Sequence, residues 1–93
     1  MIISFGNTDT ELIWAGKYSK KYPNEIQNTA RRKLRMLHNS VDIKDLLIPP
    51  SNKLEKLKGK LKDYYSIRIN IRWRIIFKWD GNNAIEVEII DYH

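Results

Sequence analysis

Apolar and polar residues alternate in the C-terminal half of the chain with the two-residue period of β-strands. The pattern predicts strands over 64–69, 73–79 and 84–91. Turns are predicted over 70–72 and 80–83, the second being rich in residues that tolerate a positive φ. In the last strand, the residues predicted to face the core are Ile85, Val87 and Ile89.

The N-terminal half has a helical pattern after a short apolar segment over 1–5, which we predict to be a strand. Thr8 and Glu11 have the spacing of a capping box, which predicts a first helix over about 9–20. Pro23 fits the first helical position of a second helix, because its missing N–H would be unpaired there.

The second helix is predicted to end near His38 and Asn39, with one more helical turn over 40–47 before Pro49 and Pro50. A short strand or loop is expected over 52–58, followed by a basic turn over 59–63. The order β-α-α-β-β-β predicts an α+β domain with helices on one side of a mainly antiparallel sheet. The apolar face of the second helix consists of Ile26, Ala30, Leu34 and Leu37.

The 93 residues are enough for one domain, and no repeat or linker divides them, so we expect a single domain over 1–93. Cysteine is absent, which excludes disulfides, thiolate metal sites and cysteine nucleophiles. The sequence has neither an apolar stretch of about 20 residues nor the features of a signal peptide. These features predict a soluble, cytoplasmic protein.

Positive charge is concentrated over 53–78, which holds nine Lys and Arg residues against Glu55 and Asp63. This segment has a net charge of +7, so the remainder of the chain sums to −1 within the total of +6. Such a field attracts polyanions, of which nucleic acid is the commonest. A solvated, solubilising face of lysines is an equal alternative from charge alone.

The last predicted strand carries three consecutive titratable groups at its end, Asp91, Tyr92 and His93. Arginines alternate with apolar residues in the strands before it, so that one face can pack while the other presents guanidinium groups. Together they suggest a phosphate-containing substrate. Taken by itself, the Asp-Tyr-His run could instead be a polar strand end in which the tyrosine packs.

Three stretches carry a resemblance to a known family: Asn52-Lys53-Leu54-Glu55 with Leu57-Lys58-Gly59, Tyr65-Ser66-Ile67-Arg68-Ile69-Asn70 with Trp73-Arg74-Ile75, and Val87-Glu88-Ile89-Ile90-Asp91-Tyr92-His93. In their order and spacing they resemble the HigB-type toxins of the RelE/ParE superfamily. The resemblance implies a RelE-like, microbial-ribonuclease-like fold and a toxin of a type II toxin–antitoxin system. It also implies cleavage of mRNA in the ribosomal A site, without a metal or other cofactor.

The same resemblance implies the partners. They are a HigA-like antitoxin with a helix-turn-helix domain, the ribosome with its rRNA, and mRNA. The toxin is expected to be a monomer when free and heteromeric with its antitoxin, with no membrane association. The alternative is a toxin that binds without cutting, either a ParE-like gyrase inhibitor or a protein that blocks the ribosome.

Roles at the site follow from the resemblance residue by residue. Arg74 matches the family's strand arginine, which would stabilise charge on the phosphate. Asp91 and His93 match the terminal catalytic pair, with His93 exchanging protons near neutral pH. Tyr92 would stack on a base or orient the phosphate. The predicted RNA-binding residues are Lys53, Lys56, Lys58, Lys60, Lys62 and Arg68.

One position departs from the pattern. Several HigB toxins carry a histidine in the loop before Leu57, and Glu55 stands there in this sequence. An ionised carboxylate has no proton to donate and repels an anionic substrate. Glu55 is therefore either a handicap that leaves most proton transfer to His93, or itself the general base.

Overall fold

A computed structural model describes residues 1–92. The strands form one antiparallel sheet in which strands consecutive in the sequence are neighbours, which confirms the predicted α+β class with two helices packed on an antiparallel sheet. Three 3₁₀ turns occupy Ile43–Leu47, Pro50–Asn52 and Gly59–Leu61. The remaining elements are the helices α1 (Thr8–Trp14) and α2 (Asn24–Asn39) and the strands β1 (Glu55–Lys56), β2 (Tyr65–Arg68), β3 (Trp73–Asp80) and β4 (Asn83–Asp91).

The core lies between the helices and one face of the sheet. Ile75 and Phe77 of β3 are fully buried there, and Ile67 of β2 and Ile13 of α1 join them in a single cluster. The predicted apolar face of α2 is confirmed, since all four of its members are buried in the same cluster. Because successive side chains of a strand alternate between faces, Arg74 belongs to the opposite, open face of the sheet.

The first helix is shorter than the predicted span of 9–20 and ends at Trp14. Its end is set by Gly16, whose φ of +84° lies in the left-handed region that favours glycine. The cap also differs, because the Asn7 side chain rather than that of Thr8 accepts the hydrogen bond from the Thr10 amide, at 2.8 Å. The Asn7 side chain thus begins the helix one residue before the predicted capping box.

The second helix begins one residue later than predicted. Pro23 has an extended ψ of 137° and caps the helix from outside, so Asn24 is the first helical residue. The predicted end is confirmed at Asn39, and the helical turn predicted over 40–47 is the 3₁₀ turn Ile43–Leu47. None of the helices within residues 1–92 has the length and apolar character needed to cross a membrane.

The predicted N-terminal strand is replaced by two isolated parallel bridges to β4, Ile2 to Ala84 and Phe5 to Val87. Between these bridges β4 carries a bulge, where Glu86 adopts a φ of +52° and donates its amide to the Ser4 hydroxyl at 2.9 Å. The extra residue interrupts a regular parallel ladder.

The bulge also corrects the predicted alternation of β4. Ile76 pairs with Glu88 but Lys78 pairs with Ile85, so β4 has one residue more than β3 between these pairs. Consequently Ala84, not Ile85, is buried in the core together with Val87 and Ile89.

Buried hydrogen bonds join α1 to the end of β4. The Thr10 hydroxyl accepts from the Ile89 amide at 3.0 Å, and the Tyr22 hydroxyl donates to the Ile89 carbonyl at 3.2 Å. The two hydroxyls are also 3.2 Å apart, within hydrogen-bonding distance. Both backbone groups of Ile89 that face the helices are therefore satisfied by side chains, which fixes the strand just before Asp91.

Thr10→Val should lower the free energy of unfolding by about 1–3 kcal/mol, because the isosteric change leaves the buried Ile89 amide without an acceptor. Thr8→Val is the matched control, since Thr8 is exposed on the same helix and its substitution should change stability by less than about 0.5 kcal/mol. Urea unfolding of both variants measures the difference. Equal midpoints for the two variants would show that this hydrogen bond does not hold β4.

Candidate nucleic-acid site on the open face of the sheet

Arg74 lies in the middle of the open face of the sheet. Its neighbours across the strands are Arg68 of β2 and Ile90 of β4. Two arginines directly opposite each other on one sheet face repel, which is unfavourable unless an anion lies between or beside them. This register marks the open face as a place for a negatively charged ligand.

The guanidinium of Arg74 is held from several sides but keeps free donors. Its Nη1 lies 3.3 Å from the Ser66 hydroxyl, and 3.4 Å from both the Lys53 carbonyl and the Glu55 carboxylate. These distances are long for hydrogen bonds. Within residues 1–92, Nε and Nη2 have no acceptor. Although the Arg74 side chain is only 17% exposed, two of its donor nitrogens therefore have no partner among the described residues.

Tyr92 lies against the same guanidinium, with its ring centroid 5.1 Å from Cζ of Arg74. This cation–π contact helps to orient the arginine. A hydrogen bond of 2.8 Å from the Tyr92 amide to the Arg72 carbonyl extends the pairing of β3 and β4 past the last residue of β4. The structure thus brings Arg74 and Tyr92, two of the predicted site residues, into contact.

A cleft of about 220 Å³ opens beside Arg74. Glu55 and Tyr92, which both contact the arginine, contribute to its lining. The other lining residues are Lys56, Leu57, Lys58 and Leu61. The turn Gly59–Leu61 supplies one wall, and it is the basic turn expected from the sequence. The cleft therefore combines a carboxylate, a phenol and two cations.

Asp91 is placed differently from Arg74. Asp91 pairs across the sheet with Trp73, on the opposite side of the pleat from Arg74. Its carboxylate accepts from Arg72 Nε at 2.9 Å and from Arg72 Nη2 at 2.6 Å. These hydrogen bonds raise the pKa of the Arg72 guanidinium above its ordinary value. Within the described residues, Asp91 therefore binds Arg72. His93, the predicted partner of Asp91, lies outside the described residues.

The six predicted RNA-binding cations fall into two groups. Lys58 lines the cleft, whereas Lys60 and Lys62 are exposed in the turn that follows. Lys56 also lines the cleft but is engaged within the fold, because its ammonium bonds to the Lys62 carbonyl and lies 5.1 Å from the centre of the Tyr65 ring. The second group, Lys53 and Arg68, lines a separate cavity next to α2.

Ser66 and Arg72 are site residues that the sequence analysis missed. Ser66 is fully buried and its hydroxyl positions Arg74, while Arg72 holds Asp91. Ser66 has the same parity as Arg68 on β2, which places it on the polar face of that strand, and this was the available signal. For Arg72 the sequence has no comparable signal, because its contact depends on the pairing of β3 with β4.

The chemistry open to this arrangement is anion binding followed by charge stabilisation. A planar guanidinium with two donor nitrogens that have no acceptor within residues 1–92 suits a phosphate, and Lys58 adds a second cation. Among the residues that line the cleft, Glu55 could accept a proton and Tyr92 could donate one.

Residues 11–93 match the HigB-like toxin family, described as RelE-like toxins of the type II toxin–antitoxin system HigB. The chain is 44% identical over 66 residues to Toxin HigB-1 of Vibrio cholerae serotype O1, covering 70% of each protein. It is 27% identical over 93 residues to Endoribonuclease HigB of Proteus vulgaris, covering 100% of both.

Solved structures show the same fold. The chain superposes on YafQ from Escherichia coli BL21(DE3) with a TM-score of 0.68 at 18% identity, covering 98% of this chain and 91% of the other. For the YoeB chain of a YoeB–YefM complex from Staphylococcus aureus the TM-score is 0.61 at 22% identity, covering 100% and 95%. The match over 11–93 shows that the chain belongs to the HigB family of RelE-like toxins of type II toxin–antitoxin systems.

Proposed function

We propose that the chain is an endoribonuclease that cuts mRNA in the ribosomal A site. The observation that carries the proposal is Arg74, held on the open face by Ser66 and Tyr92 with Nε and Nη2 left without acceptors in residues 1–92. A relative in Proteus vulgaris, Endoribonuclease HigB, supports the same activity.

The proposed reaction is an attack by the ribose 2′-oxygen on the adjacent phosphorus. A base removes the 2′-hydroxyl proton, the bond to the 5′-oxygen breaks, and that oxygen takes up a proton from an acid. The products are a 2′,3′-cyclic phosphate and a free 5′-hydroxyl. The reaction needs cations for the charge that develops on the phosphate oxygens, and we assign this role to Arg74, without a metal.

Proton transfer is assigned to His93, with Asp91 as its partner in the predicted pair. Tyr92 would orient the phosphate or stack on a base, because its ring is held beside Arg74 and the residue lines the cleft. Lys58, Lys60 and Lys62 would contact the RNA backbone around the site, with Lys56 contributing less because it is engaged with Lys62 and Tyr65.

The proposed partners follow from the family. A HigA-like helix-turn-helix antitoxin would neutralise the toxin in a heteromeric complex, and the free toxin would be a monomer acting on ribosomes in the cytoplasm. A solved relative, the YoeB–YefM complex from Staphylococcus aureus, supports an antitoxin partner.

A non-catalytic toxin that blocks the ribosome is the second candidate. The observation in its favour is the Glu55 carboxylate, which lies 3.4 Å from Arg74 Nη1 and so competes with a substrate phosphate. Because the Glu55 side chain is 46% exposed, water weakens this contact and a phosphate can displace it. Mapping of mRNA 5′ ends after expression of the toxin separates the two candidates, since a blocking protein generates no new ends.

Arg74→Ala should reduce single-turnover cleavage of mRNA on programmed ribosomes by about 10²–10³, because it removes a preorganised donor to the phosphate. Deletion of His93 should also abolish toxicity by removing the proton carrier. Lys78→Ala is the matched control, since Lys78 lies on the same strand and sheet face but is paired with Glu86 at 2.7 Å. A folded Arg74→Ala protein that cuts as fast as Lys78→Ala would contradict the role given to Arg74.

Glu55→His should raise the cleavage rate, because it removes the carboxylate beside Arg74 and adds a group that can carry a proton. Glu55→Gln should raise the rate less, since it removes only the negative charge. Single-turnover cleavage by wild type and both variants is the measurement. If both substitutions slow cleavage and Glu55→Gln is nearly inactive, Glu55 is the general base.

A further inference from the structure

A second cavity, of about 580 Å³, has Lys53 in its lining and shares no lining residue with the cleft beside Arg74. It is bounded by α2, the loop around Ser51, and the turn between β2 and β3 at Asn70. Its lining contains the cations Arg32, Lys33, Lys53 and Arg68 and no acidic side chain.

The four cations of this cavity lack counter-ions. None of them forms an ion pair within residues 1–92. Lys33 is only 4% exposed, and burial together with the charge of Arg32 lowers its pKa below the ordinary value for lysine. Four like charges around one cavity destabilise each other, and a bound anion would remove that cost.

The ammonium of Lys33 has hydrogen-bond donors that could bind such an anion. Its ammonium donates to Oδ1 of Asn52, and this is its single acceptor in the described part of the chain. Asn52 is itself fixed, because its amide donates to the Leu46 carbonyl at 3.1 Å. An ammonium has three donors, so Lys33 can also bind a ligand without leaving Asn52.

Two residues connect this cavity with the cleavage site. Lys53 contributes to the lining of the cavity, and its carbonyl accepts from Arg74 at 3.4 Å. Arg68 also lines the cavity and is the direct cross-strand neighbour of Arg74. The cations of the cavity and of the cleft therefore form one continuous surface along which an RNA strand can extend.

We propose that this cavity, hereafter the α2 cavity, binds a phosphate group of the RNA strand, at a position along the backbone from the phosphate held by Arg74. The proposal rests on the proposed function for the identity of the strand, whereas the affinity of the cavity for phosphate follows from its charges alone. The role of the α2 cavity is to fix the position of the RNA strand relative to the cleft beside Arg74.

NMR spectroscopy of the ¹⁵N-labelled protein tests the proposal with inorganic phosphate and with a short 2′-O-methylated RNA, which lacks the attacking hydroxyl. We expect both probes to shift the backbone amide signals of Ser51 and Asn70. Arg32→Gln/Lys53→Gln should abolish the phosphate-induced shifts. Lys20→Gln/Lys44→Gln is the control, because it removes the same charge from exposed positions outside the cavity.

The salt dependence of RNA binding gives a second readout. The cavity variant should lower the slope of log affinity against log salt by about 0.7–1.4, since each contact to a single-stranded phosphate contributes about 0.7. The control should leave the slope unchanged.

Three results would overturn the proposal. They are amide signals that phosphate does not move, a cavity variant that behaves like its control, and RNA that binds without shifting the Ser51 and Asn70 signals. Because the RNA probe cannot be cut, these results are independent of catalysis. An unreactive toxin with an intact response at Ser51 and Asn70 would refute the nuclease function and leave the α2 cavity as a phosphate site.

Discussion

The hydrogen bonds of Thr10 and Tyr22 to Ile89 set the register on which the site depends. They fix the end of β4 against the helices, and β4 in turn fixes the pairing of Arg74 with Ile90. A slip of one residue would move every side chain of the strand to the other face of the sheet. The placement of Tyr92 beside Arg74 thus depends on a buried polar network at the outer edge of β4.

That register also explains why Arg74 and Asp91, two residues of the predicted site, lie on opposite faces of the sheet. Trp73, which pairs with Asp91, is adjacent to Arg74 on β3, so the two charged side chains leave the strands on opposite faces. Asp91 meets Arg72 at the strand end instead. The sequence analysis assigned Asp91 and Tyr92 to one site because the two residues are adjacent in the chain. In the described residues, successive side chains of a strand point to opposite faces of the sheet, so Asp91 and Tyr92 lie on different faces.

Features set by local periodicity could be predicted, and those set by tertiary contacts could not. The face and end of α2 and the turns between the last strands follow from spacing and turn residues, and the structure confirms them. The bulge at Glu86 was missed because the residue with the left-handed φ is not a glycine. The bulge is instead held by a hydrogen bond to Ser4, which is far away in the sequence. At the site, the resemblance predicted roles for Arg74 and Tyr92, and the structure shows the two in contact. The α2 cavity could not be predicted, because α2, the loop around Ser51 and the turn at Asn70 meet only in the folded chain.

The central claim is that Arg74, through Nε and Nη2, is the group that receives the substrate phosphate. Its most direct test is the side-chain Nε–Hε NMR signal of Arg74 during titration with an uncleavable mRNA analogue bearing a 2′-O-methyl group. Arg72 is the internal reference, since its Nε already donates to Asp91. The account predicts a saturable shift of the Arg74 signal with the Arg72 signal nearly unmoved. An Arg74 signal that stays constant while the RNA binds would contradict it.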